Sequence, residues 1–378
     1  MPPHVPDGGV LLPRDGRPRP PAPLADREAA LALERLRGVG PARWTAALVE
    51  AAWDAAAALG RHPAPAAAKR EAYDAAQRAL HGAERIGASL HLLGDAAYPV
   101  ALHDLPDPPP VLWSLGSMSR LDAAPRVAVV GTRTASAYGL RAARALCDAI
   151  AGAGACIVSG MAAGIDGMAH ERALAAGAAT VAVLGSGPDV SFPAHHRPLH
   201  RRIAADGLVL AEHPPGTRPT AGGFPRRNRI VAALADLVIV VEAGVRSGAM
   251  ITAGLAADLG RPVAAVPGPV DAVRSAGTNA LLRDGAHVLA TPDDALTLLG
   301  LARAASGTEP AGASRIGSAL LGEDRAVWLA LEEPAPDLDV LAARLALPAA
   351  RAAAALTRLE LACRAEVDHV GTIRRLAG

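Results

Sequence analysis

From Arg126 to Leu299 the chain alternates between short apolar runs and helical stretches. The runs are Val127–Val130, Cys156–Ser159, Thr180–Leu184, Leu208–Ala211, Leu237–Val241, Val263–Val266 and His287–Ala290. Each is apolar on both faces, as a strand must be when helices cover both sides of a parallel sheet. Helical candidates fill the gaps: Gly139–Ala151, Gly167–Ala176, Leu199–Asp206, Asn228–Ala235, Ala249–Leu259 and Asn279–Asp284. Repeated strand–helix alternation has one economical solution, a Rossmann-like α/β domain with a doubly wound, mostly parallel sheet. We assign it residues 111–300.

At 378 residues the chain has room for flanking domains. Residues 1–23 are rich in Pro, Gly and Arg and read as a disordered arm without the apolar segment of a signal peptide. Residues 24–110 read as a small helical domain. Leu31, Leu33, Leu36, Trp44, Leu48 and Trp53 recur near helical spacing, and Asp104–Pro110 (DLPDPPP) makes a stiff linker. On this division, deleting residues 1–100 should leave ligand binding largely intact. Residues 301–317 form a Gly/Ser/Ala/Pro linker. Three short helices and two strands then follow over 318–378, the outline of a winged helix.

A hydrophobic content of 51% and mean hydropathy of +0.22 exclude wholesale disorder. No apolar run reaches the roughly 18–20 residues that span a bilayer. Cys147, Cys156 and Cys363 lack CxxC spacing, so neither a zinc site nor a disulfide framework is expected, and the cysteine usage points to the reducing cytoplasm. Net charge is only +1, which argues against coating nucleic acid by bulk charge but leaves room for a local basic patch.

Ligands of open parallel sheets bind beyond the carboxyl ends of the strands. The first such loop is Gly131-Thr132-Arg133-Thr134-Ala135-Ser136, leading into a helix whose N-terminus suits an anion. It is neither a dinucleotide fingerprint nor a P-loop, so NAD enzymes and NTPases are disfavoured. Next comes Ser159–His170 (SGMAAGIDGMAH). Here Asp166 is read as a helix N-cap, and His170 as a helix-to-sheet hydrogen bond in preference to an acid/base couple. Between His195 and Arg229 seven arginines face only Asp206 and Glu212. Arg226, Arg227 and Arg229 immediately precede the apolar helical stretch Ile230–Ala235, where cations oppose the dipole unless an anion compensates. After the fifth run, Glu242 leads to Ser247-Gly248, equally readable as an N-cap or a phosphate-facing turn.

In order, VAVVGTR with S-x-Y-G, SGMAAGID with AH, GSGPDVSFP, FPRRNRIVA, VVEAGVRSGAMITA and AVPGPVDAVRSAGTNALLRDGA resemble the DNA-processing protein A (DprA/Smf) family, from about Tyr98 to Leu299. The resemblance implies a cytoplasmic homodimer that binds single-stranded DNA, protects incoming DNA in natural transformation (competence), and loads the recombinase RecA. It implies no catalytic turnover, cofactor, metal or membrane partner. It also gives the N-terminal helices a sterile-alpha-motif-like or helix-hairpin-helix-like identity. Carried over by position, Arg133, Arg226, Asn228 and Arg229 line the DNA pocket, and Gly131, Thr132, Ser159, Gly160, Gly248 and Thr252 add backbone or hydroxyl contacts. Phe192 stands where members carry Tyr, and Ala194 and His195 follow where a Lys is common, so His195 or Arg197 would supply that phosphate contact. Phe192, Phe224 and Tyr138 are the stacking candidates, and Pro262–Leu299 is the expected dimer surface. The alternative function is a nucleotide-processing hydrolase of the same Rossmann-like superfamily, whose PGG-x-GT-x-x-E motif is incomplete here at Pro267-Gly268-Pro269 and Gly277-Thr278.

Overall fold

The computed structural model describes residues 24–301, 322–361, 365–367 and 372–375. The expected arm over 1–23, nearly all of the 301–317 linker and Cys363 lie outside the described residues. The chain forms two compact units, Met1–Ala302 and Arg303–Gly378.

The first unit is built on a nine-stranded sheet. Its strands are β1 (Ser89–Leu92), β2 (Val111–Gly116), β3 (Arg126–Val130), β4 (Cys156–Ser159), β5 (Thr180–Leu184), β6 (Leu208–Ala211), β7 (Leu237–Val240), β8 (Val263–Ala265) and β9 (His287–Val288), in the order β1-β2-β6-β5-β4-β3-β7-β8-β9. All seven anticipated runs are strands, and they pair in parallel. The helices that position the site are α1 (Leu24–Arg35), α2 (Pro41–Glu50), α3 (Ala55–Arg61), α4 (Ala66–Ile86), α5 (Ala137–Gly152), α6 (Ile165–Ala175), α7 (Arg197–Asp206), α8 (Gly223–Leu234) and α9 (Gly248–Asp258).

The period of two along each strand sorts side chains into two cores. On β3, Val127 and Val129 join Leu146, Ile150 and Ile165 from α5 and α6, whereas Ala128 and Val130 join Ile230, Leu234 and Ala253 from α8 and α9. Helices therefore cover both faces, as doubly wound topology requires.

Two elements depart from expectation. β1 and β2 form an antiparallel pair, and β2 pairs antiparallel with β6 (Trp113 opposite Ala211), which closes one edge of the parallel sheet. The segment Asp104–Pro110 is thus no linker between separate domains, since it joins two hydrogen-bonded neighbours. Leu31, Leu33, Trp44 and Ala76 share one apolar cluster with Ile230 and Val240, and the Trp44 indole donates to Ala30 O at 2.9 Å inside it. Deleting residues 1–100 would remove β1 and half of that cluster, so such a deletion cannot report on ligand binding alone. The second departure is α8, which begins at Gly223, five residues before its expected start. Pro225 is compatible with a first turn, which needs no amide donor there. The arginines of 226–229 therefore lie within the helix rather than ahead of it.

The second unit has helices over Gly322–Ala330, Leu338–Leu345 and Ala349–Leu361, followed by the antiparallel strands Ala365–Val367 and Ile373–Arg375. Val327, Trp328, Leu341, Leu356 and Leu359 fill its core. This is the winged-helix outline expected from the sequence. The only two arginines of its third helix, Arg351 and Arg358, pair with Glu323 and Asp324 of the first helix.

Candidate nucleic-acid interface

The chain leaves β3 toward β4, whereas β7 lies on the other flank of β3. Loops diverge at such a switch point and leave a crevice beyond the strand ends. A cleft of about 610 Å³ occupies it. Its walls are the Gly131–Arg133 turn, Gly160 and Ala162 after β4, Phe224–Asn228 of α8, and Ser247, Gly248 and Thr252 at the start of α9.

The Gly131–Arg133 turn is fixed from both sides. Thr132 N donates to Glu242 O at 2.7 Å, and Thr132 O accepts from Ile165 N at 3.3 Å. Gly164, with φ +79°, lies so close to this turn that any Cβ would strike Thr132 O. The Glu242 carboxylate is buried and accepts from Ser136 N at 2.8 Å, in space left by the missing side chain of Gly139. Glu242 thus anchors the start of α5.

Helix geometry divides the arginines of α8. Residues three apart share a face, and residue 227 points about a quarter turn away. Arg226 and Arg229 both reach Glu212, at 2.7 and 2.6 Å, and Arg229 also donates to Asp107 O at 2.7 Å. Neither lines the cleft. Arg227, which the family resemblance does not mark, does. It is buried, donates to Val183 O at 2.6 Å, and lays its guanidinium where a side chain on Gly160 would be. Asp166 also lines the cleft and is buried; burial pushes its carboxyl up while the Arg227 charge holds it down. Asp166 is not an N-cap: Gly164 takes that position, and Asp166 reaches back from the first turn of α6 to accept from Ala162 N at 3.3 Å.

With Arg227 set against Asp166, the outward-facing cation of the cleft is Arg133. Its guanidinium stands 5.1 Å from the centroid of the Phe224 ring, within cation–π range. Phe224 in turn packs on Phe192 at 5.3 Å. These are the only phenylalanines in the chain, and both wall a side pocket of about 220 Å³ with Arg133, Gly160 and Pro193. Tyr138 is committed elsewhere, donating to Pro267 O at 2.6 Å.

Of the residues expected at the site, Gly131, Thr132, Arg133, Gly160, Asn228, Gly248 and Thr252 come together in the cleft. Asn228 donates to Gly248 O at 3.1 Å, tying α8 to α9, and Thr252 donates to the same carbonyl at 3.3 Å. Ser159 is buried with its hydroxyl donating to Val129 O at 2.6 Å, so that hydroxyl serves the sheet. His195 and Arg197 are exposed at the start of α7, outside the cleft lining. Ser247 occupies the N-cap position of α9 without making the side-chain cap, and its Oγ is buried and unpartnered at the cleft wall. His170 is fully buried, and its Nδ1 donates to Thr180 Oγ1 at 2.8 Å while that hydroxyl donates to Ile157 O at 3.0 Å. This is the helix-to-sheet bond anticipated above, and burial lowers the imidazole pKa to about 3.

Among the described residues no single helix is long and apolar enough to cross a membrane, and no group of three or more His, Cys, Asp or Glu could hold a metal ion.

Comparison with known proteins agrees with this architecture. The sequence signature of the family described as DNA recombination-mediator protein A matches residues 89–300. A Mycobacterium tuberculosis (strain H37Rv) protein bearing the name DNA processing protein DprA is 46% identical over 263 residues, covering 68% of this chain and 67% of that one. Among solved structures, DNA processing protein A from Streptococcus pneumoniae superposes with a TM-score of 0.59 at 33% identity, over 72% of this chain and 92% of its own. The Helicobacter pylori protein, described for its single-stranded DNA binding mode, gives 0.52 at 33% identity, over 56% of this chain and 95% of its own. The signature covers more than half of the chain and includes every wall of the cleft, so the chain belongs to the DNA recombination-mediator protein A (DprA/Smf) family of DNA-processing proteins.

Proposed function

We propose that this protein binds single-stranded DNA through the cleft between β3, α8 and α9, and acts by binding without catalytic turnover. The observation that carries the reading is the Arg133 guanidinium poised over Phe224 at the mouth of a glycine-walled crevice. The amide of Gly248 at the start of α9 suits a phosphate oxygen, and Arg133 supplies the charge. Phe224 and Phe192 offer a stacking surface to a base, which every base can use. Such contacts hold a strand without reading its sequence. The likeness to the Helicobacter pylori protein supports the same ligand.

Replacing Arg133 with Ala should cost about 1–3 kcal/mol of single-strand affinity, the range of a charge-assisted hydrogen bond. The plot of log affinity against log salt should flatten by about 0.7, one counterion contact on a single strand. The loss should be alike for all base sequences, with folding unchanged. An Arg133→Ala protein that binds like the parent would place the ligand elsewhere.

In the cell this reading makes the protein a cytoplasmic mediator that shields incoming single strands and loads RecA onto them in transformation and recombination. It therefore predicts a shorter lag in RecA polymerisation on single strands when the protein is present. The active form is proposed to be a homodimer joined through Pro262–Leu299. Val270 and Val273 there are 96% and 82% exposed, and Val288 is exposed on the edge strand β9, an apolar surface that a twofold copy would cover. Light scattering should give twice the chain mass at micromolar concentration, and Val273→Asp should halve it. A monomeric parent protein would rule this surface out as a dimer contact.

A further inference from the structure

We propose that the exposed face of α7, carrying Arg197, Arg201 and Arg202, is a second contact track for the same DNA strand after it leaves the cleft past Phe192 and Pro193. The inference rests on the cleft reading above and extends it to a surface outside the cleft walls.

Four observations lead there. The side pocket that shares Arg133, Gly160 and Phe224 with the cleft is also lined by Phe192 and Pro193. A single turn of 3-10 helix, Ala194–His196, is all that separates Pro193 from Arg197. The track is thus continuous with the cleft along the chain itself. Secondly, α7 is firmly mounted. Leu199, His200 and Ile203 are buried, His200 shares a hydrogen bond with Pro188 O at 2.7 Å, and His196 shares one with Met161 O at 3.1 Å beside the start of α6.

Thirdly, the face opposite that buried stripe is cationic. Arg197, Arg201 and Arg202 are exposed, and none is in an ion pair among the described residues, whereas Arg172 on the neighbouring α6 is paired with Asp148. Asp206, the one acid of α7, stands at its last residue and pairs with none of them. Fourthly, the arrangement is unfavourable without an anion. Arg197 sits in the first turn of α7, at the positive end of the helix dipole, with no acidic residue there to offset it. Arg197 and Arg201 are four residues apart, which puts their charges one above the other on the same face. A row of cations leading away from a phosphate-binding cleft fits a linear polyanion, and the strand already in the cleft is the polyanion at hand.

The test uses the full chain, the variant Arg197→Ala/Arg201→Ala/Arg202→Ala, and Arg133→Ala as reference. Binding is measured across a salt series with oligonucleotides of about 5 and about 20 nucleotides, which bracket the site sizes of single-strand binders. The triple variant should bind the short oligonucleotide like the parent. On the long one it should lose roughly tenfold or more, and its salt slope should flatten by about 2, at about 0.7 per contact removed. Arg133→Ala should weaken both lengths. If Arg133→Ala weakens both and the triple variant weakens neither, or weakens both equally, the track is wrong while the cleft stands. If Arg133→Ala weakens neither, the cleft reading fails and the track falls with it. Matching thermal unfolding of parent and triple variant excludes a folding defect, because all three side chains are exposed.

Discussion

Replacing Arg229 with Ala should cost about 3–5 kcal/mol of folding stability, the usual consequence of removing one partner from a buried ion pair. Arg226→Ala, three residues away and joined to the same carboxylate, should cost about 1 kcal/mol or less. The Arg229 and Glu212 side chains are only 7% and 9% exposed, while Arg226 is 47% exposed. Losing Arg229 also deprives Asp107 O of its donor and removes the buried charge that offsets Glu212. Glu34 of α1 lies close enough to feel Glu212, and burial already pushes its carboxyl up. Removing Arg229 would leave Glu212 less well compensated beside that second acid. Urea unfolding of the two variants should show a large drop in midpoint for Arg229→Ala, near the parent for Arg226→Ala, and an unchanged slope. Equal losses would mean that Glu212 is not the residue that holds α8.

Acid should destabilise the first unit through His170. The folded state lowers its pKa to about 3, while the unfolded chain titrates near the ordinary value of about 6.5. Between those limits the unfolded chain binds a proton that the folded chain refuses. Stability is thus fully present above about pH 6.5 and falls as pH drops, by about 1.4 kcal/mol per pH unit once the unfolded imidazole is protonated. By pH 4 this amounts to a little over ~3 kcal/mol. Asp166 works in the other direction, because burial raises its carboxyl and the folded state takes up that proton more readily. A His170→Gln protein isolates the histidine contribution: its stability profile from pH 7 to 4 should be shallower than the parent's by that slope. Parallel profiles would show that His170 is not held neutral by the fold.

Much of this architecture was legible in the residues. Seven apolar runs located seven strands, and the glycine turns after them located the cleft. β1 and β2 escaped notice because Ser89-Leu90-His91-Leu92 alternates polar and apolar residues rather than forming an apolar run, and the proline-dense DLPDPPP immediately before β2 has the chemistry of a spacer. Proline there only leads the chain into β2. The arginines of α8 were misjudged for a different reason. A helix read as starting at Asn228 leaves Arg226 and Arg227 in a loop ahead of it, free to reach the same ligand as Asn228 and Arg229. Starting it at Gly223 imposes the helical angle, which sends 226 and 229 to Glu212 and turns 227 into the cleft. Pro225 was the available signal, since proline favours a first turn. Side-chain hydrogen bonding, such as Ser159 to Val129 O, depends on spatial neighbours that no local pattern carries.

The pairing of β2 with β6 has a consequence for how the protein must be made. Trp113 lies opposite Ala211, nearly a hundred residues later, so the β1–β2 hairpin emerges from the ribosome long before its partner strand exists. Until then β2 presents an unpaired apolar edge, the kind of surface that invites mispairing in a nascent chain. The α8 and α9 walls arrive later still, at residues 223–234 and 248–258. Such long-range pairing makes for slow assembly. A growing chain therefore cannot assemble the cleft before most of the sheet has been synthesised, and chaperone demand should peak between the appearance of β2 and that of β6.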